Sequence, residues 1–169
     1  MFNKNRFDFI GVDKLLLAHY EQVLIFEKWA ENGLWDQFHV NHYDWWAFPI
    51  DKTSGFKGKY QVDNVSLNQM LDDTDFISSL TRAIELSLLA WGWDARASEP
   101  LSSPPDGAYW CGKPIRLWKA WRSAYIFNLV EKEKEILIFA KYLKSNKHNF
   151  YYKSDLYPEL LERIKHYKL

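Results

Sequence analysis

No segment constrains this chain as much as Asp13 to Gly33, DKLLLAHYEQVLIFEKWAENG. Leu16, Tyr20, Val23, Leu24 and Ala30 recur at helical spacing, and Leu17, Ile25 and Phe26 widen the apolar surface they make. The polar remainder is a narrow strip of Lys14, Glu21 and Lys28. A helix that is apolar around most of its circumference needs neighbours on several sides, so it is expected at the centre of a helical core. Asp13 offers an oxygen to the free amides of the first turn, and Gly33 tolerates the left-handed backbone that closes a helix.

The neighbours show in the same periodicity. Asp72 to Trp91 reads as a second helix, capped by Asp72 or Thr74, with Phe76 or Ile77, Leu80, Ile84, Leu88 and Trp91 as its stripe. A shorter helical turn precedes it around Ser66 to Leu71. Ile115 to Leu143 follows, with Pro114 at or just before the first turn, where a missing amide hydrogen does no harm. Trp118, Trp121, Tyr125 and Leu129 make its stripe, Leu137 and Ala140 extend it, and the run EKEKE at 131–135 contains no breaker. One continuous helix with a solvated middle is therefore expected, roughly 44 Å long at about 1.5 Å per residue. A last helix runs from Pro158 to about Tyr167.

Two segments, 34–65 and 93–113, are longer than compact domains usually leave irregular. In the first, alternation over Phe56 to Val62 suggests a short hairpin. No repeat, low-complexity tract or boundary interrupts the chain. The expected fold is mainly α, a single-domain irregular helical bundle over residues 1–169 that carries two long aromatic-rich loops.

Nine Trp, ten Tyr and eleven Phe supply that bundle with large core pieces and leave rings for a binding surface. Cys111 is the sole cysteine, which excludes an internal disulfide and suits a reducing compartment. The opening MFNKNRFDFIGVDK has no apolar signal region, and no run of apolar residues is long enough for a membrane span. A cytoplasmic location without membrane association is the expectation.

The net charge of zero hides an asymmetry. Residues 1–112 hold nine Lys/Arg against sixteen Asp/Glu, whereas residues 113–153 hold ten against three. Either the basic part attracts an anionic partner, or the two parts neutralise each other on folding. In KPIRLWKAWRSAY, residues Lys113, Arg116, Lys119 and Arg122 recur every third position, interleaved with Trp118 and Trp121. Arg116, Lys119 and Arg122 are thus candidate anion-binding residues, and a basic helix 113–125 with interleaved indoles is one route to nucleic acid. The stretch KSNKHNFYYK, Lys144 to Lys153, repeats the mixture of cations and rings.

The first loop contains NHYDWWAFPIDK, with two adjacent tryptophans where a connection is expected. Its phrase YDWWAFPI, Tyr43 to Ile50, resembles the N-terminal region of opioid growth factor receptor-like proteins, where a Tyr, a Trp and a Phe-Pro pair stand in similar register. The likeness is confined to this phrase and implies no function. His39, His42 and Asp44 offer imidazole and carboxylate to a divalent metal, the only cofactor for which the sequence provides a candidate site. In the second loop, Asp94 and Arg96 form a loop staple or an anion site, and Cys111 is expected as a small buried side chain. There is no glycine-rich phosphate loop, no Gly-x-Ser-x-Gly elbow and no zinc-finger spacing.

These features lead to a non-enzymatic helical binding or adaptor protein, in which Trp45, Trp46, Trp93, Tyr109 and Trp110 meet a protein partner or a small ligand. The alternatives are a metal-dependent hydrolase built on His39, His42, Asp44 and Asp94, and a nucleic-acid binder. Self-association is open under each.

Overall fold

Two aspartates set the first boundaries. Asp63 Oδ1 accepts from Ser66 N at 2.8 Å and Asp73 Oδ1 from Phe76 N at 2.9 Å, satisfying amides that the helix leaves free. In the computed structural model, which describes residues 8–53 and 55–169, these caps start α4 (Asn64–Leu71) and α5 (Thr74–Ala90). The cap of α5 is therefore Asp73, between the two residues the sequence suggested. α1 (Val12–Glu31) precedes them, followed by the single turns α2 (Gln37–Val40) and α3 (Asp44–Ala47). After α5 come the hairpin β1 (Trp93–Asp94) and β2 (Glu99–Pro100), then α6 (Pro114–Ile126) and α7 (Val130–Ser145). A second hairpin, β3 (Tyr151–Tyr152) and β4 (Ser154–Asp155), leads into α8 (Tyr157–Tyr167). The architecture is the expected mainly helical domain, with eight α-helices among the described residues.

α1 packs on α5 and α3, α6 on α7, and α7 on α8, around one continuous apolar core. The second helix buries the stripe expected of it, Phe76, Leu80, Ile84, Leu88 and Trp91. α1 departs from expectation. It begins at Gly11 with no side-chain cap, so Asp13 lies inside the first turn, where its charge suits the helix dipole. Its buried face is Leu15, His19, Gln22, Val23 and Phe26, while Leu17 and Leu24 are 58% and 62% exposed. The helix is covered on one side only, because its neighbours accept two polar residues, His19 and Gln22, in place of the leucines. At its other end, Gly33 adopts φ 67° and Leu34 N donates to Trp29 O at 2.7 Å, the closure expected of that glycine.

The expected continuous helix 115–143 is two helices. Asn128 takes φ 57°, its N–H donates to Tyr125 O, and Leu129 N reaches Ala124 O at 2.9 Å. This is the same terminal closure as at Gly33, with asparagine as the left-handed residue. The turn lets α7 fold back on α6 so that both bury their stripes. The middle of the acidic-basic run is not solvated either. Glu133 is 2% exposed and accepts from Arg163 Nε at 2.7 Å, Tyr167 Oη at 2.7 Å and Trp121 Nε1 at 3.3 Å, joining α6, α7 and α8.

The expected hairpin at Phe56 to Val62 is absent. Phe56–Gly58 forms a 3₁₀ turn with Phe56 and Lys57 at positive φ, and Val62 N donates to Ile50 O as a single loop bond. The hairpins fall elsewhere, at 93–100 and 151–155. Asp94 caps the turn of the first by accepting from Arg96 N and Ala97 N at 3.0 and 3.1 Å, a staple through backbone rather than an ion pair. No helix among the described residues is long and apolar enough to cross a membrane.

Candidate functional site

Arg116 organises the first loop. It is 2% exposed, donates from Nη1 to Phe38 O at 2.5 Å and from Nη2 to Asn41 O, and lies over the Tyr43 ring with 4.7 Å to the centroid. Tyr43 Oη donates to the same Phe38 carbonyl at 2.5 Å. One turn on, Lys119 Nζ donates to Asp44 Oδ2 at 2.6 Å and sits 4.5 Å from the Trp45 ring centroid. Arg122 then forks onto both oxygens of Asp51 at 2.8 and 2.7 Å. The every-third spacing winds the three cations around α6 by a fixed lag, and the loop follows them as a seam.

That seam accounts for part of the charge asymmetry. The acidic part of the chain supplies Asp44 and Asp51 and the basic part supplies their partners; Lys132 on α7 pairs likewise with Glu85 on α5 at 3.1 Å. Arg116 and Lys119 are inside and Arg122 is paired, so the free cationic face expected at 113–125 is not formed. Burial lowers the Lys119 pKa, Asp44 opposes that shift, and Arg116 adds to it. For Asp51, burial alone would raise the pKa, but the Arg122 hydrogen bonds and charge hold it below the usual carboxylate range.

His39, His42 and Asp44 do not gather. His39 Nε2 donates to Gly107 O at 2.7 Å, Asp44 is held by Lys119, and His42 is exposed. Among the described residues no group of three or more His, Cys, Asp or Glu is placed to hold a metal ion. Burial lowers the His39 pKa, with Arg116 and Lys113 acting in the same direction against the Gly107 carbonyl. The Gly107 contact is close because that residue has φ 82° and no side chain, and a Cβ there would lie 2.8 Å from Asp36 N. Cys111 is partly buried, and burial pushes its thiol pKa up, which leaves it a poor nucleophile.

The five candidate rings separate. Trp93 is 1% exposed and belongs to the core, and Trp110 packs edge-on against Trp91 and Phe139. Tyr109 is exposed over the His39 ring, 4.5 Å between centroids. Trp46 packs on the core, with Nε1 donating to Gln22 Oε1 at 3.1 Å and its carbonyl accepting from His19 Nδ1 at 3.1 Å. Trp45 lies beside the Trp46 ring, 6.2 Å between centroids, and extends across Lys119 and against Phe56 at 4.8 Å, where it walls a cleft.

This cleft has a volume of about 640 Å³, within the range of small-molecule sites. Three separate stretches bound it: the loop from His42 to Gly55, the first turn of α6, and the β3–β4 hairpin with the start of α8. The hairpin is held from below, since Phe150 and Leu156 are buried and Leu156 N donates to Phe150 O at 3.0 Å. Above that base Tyr151 and Tyr152 stand 62% and 47% exposed, and Lys153, at φ 59°, makes the turn. Trp118 closes the cleft from α6 and is 7% exposed, with its indole N–H meeting no acceptor. The Lys144–Lys153 run shows its mixture of rings and cations in the sequence, but its place beside Trp45 depends on the α7 turn-back, which no local pattern there encodes. Neither a family model, nor a curated protein, nor a solved structure matches the chain.

Proposed function

We propose that this is a non-enzymatic binding protein that holds a small ligand in the cleft between Trp45, the start of α6 and the Tyr151–Tyr152 hairpin. The observation that carries this reading is the cleft itself, about 640 Å³, walled by Trp45, Tyr151 and Tyr152 outside the core and floored by the core residue Trp118. Rings with two rotatable bonds present large contact area at little entropic expense, and a scaffold in which Arg116, Lys119 and Arg122 fix the loop reduces the ordering that binding requires. Among the described residues no constellation of nucleophile, base and orienting group accompanies the rings, which supports a binding reading.

N-phenyl-1-naphthylamine, a neutral dye that brightens in apolar sites, tests this reading. Saturable binding of one dye per chain is expected, weakened at least fivefold by Tyr151→Ala combined with Tyr152→Ala, with an unchanged melting temperature. Absence of saturable binding, or binding indifferent to both substitutions, would overturn it.

A further inference from the structure

We infer that the ligand of this cleft is an anion, a phosphate or carboxylate group carried on a planar ring. The inference rests on the cleft reading above and adds the ligand's charge and shape. Five cationic side chains line the cleft, Lys52, Lys113, Arg116, Lys119 and Lys153, against two carboxylates, Asp44 and Glu159.

The excess has a buried component. Among the described residues Asp44 is the one carboxylate within ion-pair distance of both Arg116, at 3.8 Å, and Lys119, at 2.6 Å. All three side chains are at most 7% exposed, so two cations share a single counter-charge where water screens weakly. Carbonyl oxygens of the loop absorb part of the guanidinium charge, yet the cluster stays formally positive beside the cavity.

Nearer the surface lie Lys52 and Lys153, both exposed, and Lys113, half-buried. Among the described residues these three lysines make no ion pair: Lys52 acts only at longer range on Asp51, which Arg122 already holds, Lys113 donates to the His39 carbonyl and Lys153 lies over Tyr152. The first turn of α6 borders the same space with no side-chain cap, adding the positive end of a helix dipole to the lysines. Tyr151, Tyr152 and Trp45 supply faces on which a planar ring can stack.

Two dyes with the same ring system separate charge from shape. 8-Anilinonaphthalene-1-sulfonate is N-phenyl-1-naphthylamine with an added sulfonate. The anionic dye is expected to bind at least tenfold more tightly at 50 mM salt and to lose most of that advantage at 300 mM. Lys52→Gln combined with Lys153→Gln should weaken the anionic dye at least fivefold and leave the neutral dye unaffected. Displacement of the anionic dye by AMP identifies a phosphate site, and displacement by 1-naphthoate a carboxylate site. Neutral-dye binding in the cleft without a preference for the anion, or displacement by neither competitor, overturns this inference and leaves the binding reading standing. Failure of the neutral dye as well removes the binding reading itself.

Discussion

Lys119 Nζ lies 2.6 Å from Asp44 Oδ2 with both side chains nearly sealed from water, and Arg116 shares the same carboxylate from 3.8 Å. The pair holds the first loop to α6. Because cations outnumber the carboxylate, the two partners are not equivalent. Asp44→Asn strands two buried cations and is expected to destabilise the fold by about 3–5 kcal/mol. Lys119→Met leaves Asp44 facing Arg116 and should cost clearly less. Guanidinium denaturation of both variants checks the order, and equal losses would show that Arg116 does not interact with Asp44.

Trp45 and Trp46 are adjacent but should respond oppositely. Trp46 is partly buried, wedged between α1 and the loop through Gln22 and His19, so Trp46→Ala is expected to cost about 3 kcal/mol, the low end of the range for large core rings. Trp45 stands outside the core cluster, and Trp45→Ala should cost less in stability while weakening dye binding in the cleft. Thermal melting and the dye titration together separate the two roles.

His19 makes stability depend on pH. It is fully buried in contact with the Phe76 ring, its Nδ1–H donates to Trp46 O, and burial pushes its pKa down to about 4 from the ordinary imidazole value of 6.5. Below pH 6.5 the unfolded chain takes up a proton that the folded chain refuses until about pH 4, so stability falls as pH drops through that window. The loss from this residue approaches about 3 kcal/mol and is complete near pH 4, with no contribution above pH 6.5. His19→Asn keeps a donor near Nδ1 and does not titrate. The difference in unfolding free energy between it and the native protein should therefore change across the window and be flat above it.

Asn128 tests the break between α6 and α7. At φ 57°, glycine is better tolerated than any branched residue, so Asn128→Gly should stabilise slightly or be neutral, and Asn128→Val should destabilise by about 1–2 kcal/mol. Urea midpoints measure both. A neutral valine variant would mean that the left-handed turn is dispensable.

The helices were legible wherever local chemistry dictated them. Pro114 starts α6, Gly33 closes α1, and the stripe from Phe76 to Trp91 is buried as its spacing implies. The break at Asn128 carried a signal too, since asparagine is the commonest left-handed residue after glycine, but an apolar pattern continuing on both sides masks it. The solvent-facing leucines of α1 carried none. Periodicity reports that a face is apolar, not which neighbour arrives to cover it.

The sequence by itself determined the class of fold, the ring-rich core, and the two blocks of opposite charge. Only the tertiary structure decided how that charge is spent. Arg116, Lys119 and Arg122 turn inward to carbonyls and carboxylates contributed from some seventy residues away, as the Asp44–Lys119 separation of 75 shows. Among the described residues, Lys52, Lys113 and Lys153 line the cleft beside Trp45 and the tyrosine hairpin without forming an ion pair. The physical reason is that an ion pair depends on distances of a few ångströms, and those between remote residues are fixed by packing, which no local pattern encodes.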